Sequence, residues 1–205
     1  MGTDDLFHKR KRDLARRQAC RSARPRILIV CEGKKTEPDY FRSFPVTSAD
    51  IRIVGEGFNT KSLVAYARRK EQEALEDKDP YDRVWCVFDA DSFSKEQFNA
   101  AVQMAESSGF RAAYSNEAFE LWYVLHFEYL TAALKRGRYN TKLTGHLGVK
   151  YKKNRSDMYE RLKSRQAQAV KRAEQLCALH KGLPPADRKP CTTVHLLVKE
   201  LNGLM

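Results

Sequence analysis

Three carboxylates in this chain follow closely on apolar, β-branched runs. Glu32 stands two residues past Arg26-Ile-Leu-Ile-Val30, and Asp89 and Asp91 come directly after Val84-Trp-Cys-Val-Phe88. Carboxylates drawn together repel, and some hold their protons more tightly unless a cation neutralises them. An all-oxygen donor set suits a hard ion such as Mg²⁺ or Mn²⁺. One such ion would polarise a phosphoryl oxygen and activate water, and a second would let both the attacking and the leaving oxygen be stabilised. Glu117 and Glu120, after a further run at 110–114, are additional candidate metal ligands, as is Glu37. For these the competing explanation is a helix start, because the first turn of a helix favours acids. Lys34 and Lys35, close to Glu32, are placed to hold a scissile phosphate or a leaving oxygen. Surface lysines would read the same way.

The elements that must position these groups alternate. Strands are predicted over 26–30, 51–54, 84–88 and 110–114, and helices over 36–44, 60–76, from Ser94 to Gly109, and over 118–127. Thr36 is the expected N-cap of the first helix with Pro38 in its first turn, and Ser94 with Gln97 forms a capping box. Near-continuous apolar strands between helices imply an α/β fold with a doubly wound parallel sheet. In such sheets functional groups gather at the carboxyl ends of the strands. Beyond Leu130 the pattern changes: 135–153 is basic without a periodic apolar face, 156–180 reads as one long helix, and Thr192 caps a last one. The expected organisation is a basic arm (1–24), an α/β domain (25–130) and a basic helical appendage packed on it (131–205).

Charge separates along the same lines. The chain of 205 residues carries a net +12. Residues 1–24 hold eight Lys/Arg against three acids, 25–134 thirteen against eighteen, and 135–172 thirteen against two. A basic flank beside an acidic centre suits a phosphate polymer, the cations gripping the backbone and the acids holding metal. A solubilising face is the plainer alternative. Lys142, Lys150, Lys152, Lys153 and Arg155 are the candidate phosphate contacts, and Tyr139 and Tyr151, interleaved with them, are candidate stacking platforms. Phe119, Trp122 and His126 read as core, the histidine hydrogen-bonded to its neighbours rather than carrying protons. The five cysteines form no CxxC pair and read as reduced thiols, without a disulfide framework or zinc site. No stretch approaches the roughly 18 apolar residues of a membrane helix, so a soluble, cytoplasmic protein is expected. The loop Gly33-Lys-Lys-Thr36 lacks the spacing of a phosphate loop, and Gly55-Glu-Gly57 lacks the rest of GxGxxG.

Three stretches together carry a resemblance: V-C-E-G-K-K-T-E-P-D-Y-F (30–41), V-F-D-A-D-S-F (87–93) and S-N-E-A-F-E-L-W-Y-V-L-H-F (115–127). They resemble the RloB-like family, which includes AbiLii-type abortive-infection proteins and looks like a variant of the TOPRIM domain. The TOPRIM pattern is a Glu after the first strand, matched by Glu32, and D-x-D after the third, matched by Asp89 and Asp91. Glu37 and Pro38 depart from the commoner E-G-x-x-D continuation. The resemblance implies Mg²⁺-dependent phosphodiester chemistry on DNA or a structured RNA such as tRNA. It also implies a role in phage defence, with an AAA/ABC-type ATPase as partner. The competing expectation is a nucleic-acid-binding or ATPase-partner module whose metal is only structural. Oligomeric state is not legible.

Overall fold

The structure is a computed structural model that describes residues 24–90 and 94–205, with the side chain of Thr60 left aside. The basic arm before residue 24, Asp91 and Cys20 therefore lie outside the described residues. Four strands form a parallel sheet: β1 (Arg26–Cys31), β2 (Asp50–Gly55), β3 (Arg83–Asp89) and β4 (Arg111–Asn116). A two-residue strand, β5 (Cys191–Thr192), pairs antiparallel with the end of β4, giving the order β2-β1-β3-β4-β5. This mixed α/β architecture, with one mostly parallel sheet, matches the alternation expected. The last strand is an addition that two residues could not announce.

Strand alternation sorts the core onto two faces. Leu28, Val30, Val84, Cys86 and Phe88 meet α2 (Thr60–Glu76) and α3 (Lys95–Ser107) through Leu63, Val64, Phe98 and Val102. Ile27, Ile29, Cys31, Trp85 and Val87 face α1 (Thr36–Arg42) and α4 (Glu120–Leu125) on the other side. The same cluster takes in α5 (Arg136–Leu147), α6 (Met158–Leu162), α7 (Gln166–Leu179) and α8 (Val194–Asn202), so residues beyond 130 share one core with the sheet. Ser94 and Gln97 form the capping box expected for α3.

Four segments differ from the sequence reading, the first being the start of α1, where Thr36 is the first helical residue and Lys35 the N-cap position. Residues 136–147 are helical although no apolar stripe marks them, because only Tyr139 and Leu143 are buried and Gly137 and Gly145 dilute the pattern. The long helix over 156–180 is broken by a 3₁₀ turn, Lys163–Arg165. Its buried positions Met158, Leu162, Gln166, Ala169, Ala173 and Leu176 keep helical spacing across that turn, which hides the break. Thr192 belongs to β5 and the N-cap position of α8 is Thr193, but it is the Thr192 hydroxyl that accepts from the first backbone N–H of the helix, Val194, at 3.3 Å. Among the described residues no helix is long and apolar enough to cross a membrane.

Candidate acidic site at the sheet switch point

The order β2-β1-β3 makes the chain leave β1 in opposite directions: α1 connects outward to β2 on one face, and α2 returns past β1 to β3 on the other. The carboxyl ends of β1 and β3 thus flank the topological switch point, where open α/β sheets form their crevice. Glu32 and Asp89 occupy those two ends. The backbone N–H of Glu32 donates to the Val87 carbonyl at 2.9 Å, prolonging the β1–β3 ladder, and its Oε2 accepts from the backbone N–H of Asp89 at 3.1 Å.

Two further acids turn into this crevice. Glu37, in the first turn of α1, is buried, and its Oε2 has no hydrogen-bond partner. It folds back so tightly that a Cβ on Gly33 would collide with the carboxylate. Gly55, ending β2, is needed for the same loop, since a Cβ there would meet the Gly33 carbonyl and the Pro38 ring. Glu120, opening α4, is buried and accepts at Oε1 from the Tyr151 hydroxyl at 3.3 Å. The Thr36 hydroxyl donates to Asn154 Oδ1 at 3.0 Å, tying the Glu32 loop to the segment that carries Tyr151 and Lys153.

Arg136, the first residue of α5, donates from Nη2 to Asp89 Oδ2 at 3.1 Å. Burial holds the Asp89 carboxyl well above the usual carboxylate range; Glu37 and Glu120 push it further, Arg136 opposes them, and Glu32 adds to the rise. Burial raises Glu37 as well, against its own backbone hydrogen bond and the Lys153 charge, with Glu120 raising and Arg136 lowering it. A buried cluster of this kind either keeps protons or takes up a cation. Its donor chemistry, all carboxylate oxygen with one unpartnered at Glu37, fits a hard divalent ion. Even so, among the described residues no three His, Cys, Asp or Glu are already arranged to hold a metal ion. Glu32 is engaged with the Asp89 backbone and Asp89 with Arg136, so coordination requires rearrangement at both.

Of the residues singled out from sequence, Glu32, Glu37, Asp89 and Glu120 converge. Asp91 lies outside the described residues. Lys34 and Lys35 are exposed on the loop between Glu32 and α1, the Lys34 stem running within 2.7 Å of where a Cβ on Gly57 would stand. Glu117 departs from expectation: it lines a separate cleft with Lys135 and Lys189, whose charges disfavour a metal there.

The expected nucleic-acid contacts divide. Lys150, Lys152 and Lys153 are exposed. Lys142 is instead paired with Glu128 at 2.6 Å, and Arg155 grips Asp157 through two bonds of 2.8 Å. Tyr139 and Tyr151 are buried and cannot stack on a base, Tyr151 serving Glu120 instead. Trp122 is buried with its indole N–H donating to Tyr40 Oη at 3.0 Å, and buried His126 pairs through Nδ1 with the Trp122 carbonyl at 2.9 Å. Arg136 was missed. It sits within a run of Lys and Arg, and nothing in its spacing distinguishes it from its neighbours.

Neither the curated proteins nor the solved structures offer a match to this chain. A sequence model of the RloB-like proteins matches residues 27–201, which takes in all of the sheet but Arg26 and every acid of the crevice. On that match, the chain belongs to the RloB-like protein family.

Proposed function

We propose that this chain is a divalent-metal-dependent phosphodiesterase of the nuclease type, acting on DNA or a structured RNA. The observation that carries the reading is the convergence of Glu32, Glu37, Asp89 and Glu120 on one crevice at the switch point, where burial and neighbouring acids hold the Asp89 and Glu37 carboxyls above their usual range. Bound Mg²⁺ or Mn²⁺ would supply Lewis acidity to a phosphoryl oxygen. The protein's part is then to hold Asp89 and Asp91 as ligands and to set Glu32 as ligand or as base towards water. Arg136, displaced from Asp89, is within reach to bind phosphate through its planar guanidinium. Exposed Lys150, Lys152 and Lys153 supply backbone grip beside the crevice. The TOPRIM likeness of the sheet, a role in phage defence and an AAA/ABC-type ATPase partner belong to the same proposal and rest on the motif resemblance.

A second reading is a nucleic-acid-binding module without turnover. The Arg136–Asp89 ion pair favours it, since it answers Asp89 without metal. One experiment separates the two: cleavage of DNA and of total tRNA with Mg²⁺, Mn²⁺ or chelator, alone and with a candidate AAA/ABC-type ATPase, alongside melting in the same buffers. The nuclease reading expects metal-dependent products that the Glu32→Gln and Asp89→Asn variants do not form. Binding without cleavage under every condition leaves the second reading standing.

A further inference from the structure

Cys177 lies on α7 and Cys191 opens β5, and their sulfur atoms stand 3.3 Å apart. The other two described cysteines offer no such pair, for Cys31 and Cys86 pack on opposite faces of the sheet. The neighbours of the thiol pair assign its hydrogens. The Cys177 sulfur also lies 3.6 Å from the Thr192 carbonyl, which can only accept. With the Cys177 hydrogen turned to that carbonyl, Cys191 is the donor to the Cys177 sulfur.

The two thiols are not equivalent. Cys177 is partly exposed, whereas Cys191 is fully buried. The hydrogen bond from Cys191 favours a thiolate at Cys177 and lowers its proton affinity; the Arg188 charge acts in the same sense, against burial and Glu174. Cys191 is pushed the other way, by that same bond and then by burial. Arg188 is itself fixed, donating from Nε to the Leu183 carbonyl at 2.7 Å and from Nη1 to the Tyr114 hydroxyl at 3.2 Å. A solvent-reachable thiol that ionises readily, beside a second thiol, is the arrangement of an attacking and a resolving cysteine.

We propose that Cys177 and Cys191 form a reversible disulfide on oxidation by hydrogen peroxide, and that the bond pins β5 to α7. In the first step the Cys177 thiolate attacks one peroxide oxygen; the O–O bond breaks, hydroxide leaves, and Cys177 becomes a sulfenic acid. The Cys191 sulfur then attacks the Cys177 sulfur, the S–O bond breaks, and the hydroxyl leaves as water with the Cys191 proton. Both thiols are oxidised by one peroxide, and a dithiol reductant reverses the bond by exchange. The sulfurs have to close from 3.3 Å to about 2 Å. The bond closes a ring over 177–191. Within that ring the Pro185 and Arg188 carbonyls accept from Asn116 Nδ2, and Cys191 is the register partner of Asn116. The neighbouring Ser115 is the register partner of Asp89, so the clamp reaches the strand edge beside the acidic crevice. The thiol pair does not depend on the proposed function.

The test uses the full chain, reduced, freed of reductant and treated with hydrogen peroxide. Peptide mapping after alkylation should find a Cys177–Cys191 bond, and dithiothreitol should remove it. Cys20→Ser should behave like the parent. Cys191→Ser removes the resolving thiol, so dimedone should trap a sulfenic acid at Cys177; Cys177→Ser should leave Cys191 unlabelled. The oxidised parent should melt roughly 5–10 °C above its reduced form, as a ring of this size implies for a chain of this length, and neither Cys177→Ser nor Cys191→Ser should show that shift. Failure of the bond to form, a bond to Cys20 in its place, or a bond that leaves the melting temperature unchanged overturns the proposal.

Discussion

Asp89 is a carboxylate whose surroundings oppose its charge: it is buried, three acids act on it, and one guanidinium answers. Its proton affinity is higher folded than unfolded, so the native state binds more protons and stability falls as pH rises out of the carboxylate range. Asp89→Asn removes that cost. The variant should melt at or above the parent temperature in chelator, with an advantage that grows as pH rises, while losing cleavage and the metal-induced shift in melting. A variant that cleaves like the parent would remove Asp89 from the site. His126 has the opposite sign. Burial lowers it to about 4, so it stays neutral in the fold but charges when unfolded below its ordinary value of 6.5. Its stability contribution is present above about pH 6.5 and is lost as pH falls towards 4, by about 3 kcal/mol in all at about 1.4 per pKa unit. Denaturant titrations across that window should show a shallower acid slope for His126→Asn than for the parent. Equal slopes would mean that the imidazole is not held neutral.

β1 and β3 were legible because each is a short apolar run buried on both faces, and such runs need no context to be recognised; β2, at the sheet edge and only partly buried, was legible from Ile51, Ile53 and Val54. Glu32 and Asp89 followed from them, since the end of a strand is where a parallel sheet puts its chemistry. What escaped was whatever depended on tertiary neighbours. Glu37 could be read as a helix-start acid or a ligand until the loop folded it under Gly33. Arg136 had no signal, because its role comes from α5 docking against β3's end. Tyr151 was misplaced because a buried aromatic beside lysines spells the same sequence as an exposed one. Loop and helix glycines make an element-scale prediction with opposite signs. Gly55→Ala drives a Cβ into the Gly33 carbonyl and the Pro38 ring, neither of which can swing aside. It should destabilise by about 1–3 kcal/mol and diminish the metal response by moving Glu32 and Glu37. Gly145, inside α5, has nothing within 4 Å of an added Cβ, so Gly145→Ala should stabilise by about 0.5–1 kcal/mol. Chemical denaturation of both variants checks the pair, and a neutral Gly55→Ala would show that the loop has slack.

At the scale of the molecule, one core joins the sheet to everything that follows it. Phe119, Leu121, Trp122 and Leu125 pack in the same cluster as Leu143, Leu162, Ala173, Leu176 and Leu197. A fragment of residues 25–130 should therefore fail to melt cooperatively, for α1 and α4 would lose the helices that cover them, as expected of an appendage packed on the α/β domain; a sharp transition would show that the α/β part folds without it. Charge has a whole-molecule consequence too. If Lys150, Lys152 and Lys153 each meet a phosphate, neutralising all three should flatten the log–log salt dependence of nucleic-acid binding by about 2–3. An unchanged slope would place the contacts elsewhere. The pairing of β4 with β5 bears on time as well as space. Ser115 and its partner Thr192 are 77 residues apart. At about 5–20 residues per second, a ribosome needs roughly 4–15 s to supply the second after the first. For that interval the nascent chain shows an unpaired edge at β4 and a naked helix α4, the two surfaces most open to wrong partners. The crevice meanwhile waits for Arg136 and Tyr151. The acidic crevice thus stays incomplete until synthesis is well past β4, for the guanidinium that answers Asp89 and the hydroxyl that answers Glu120 are made after the acids themselves.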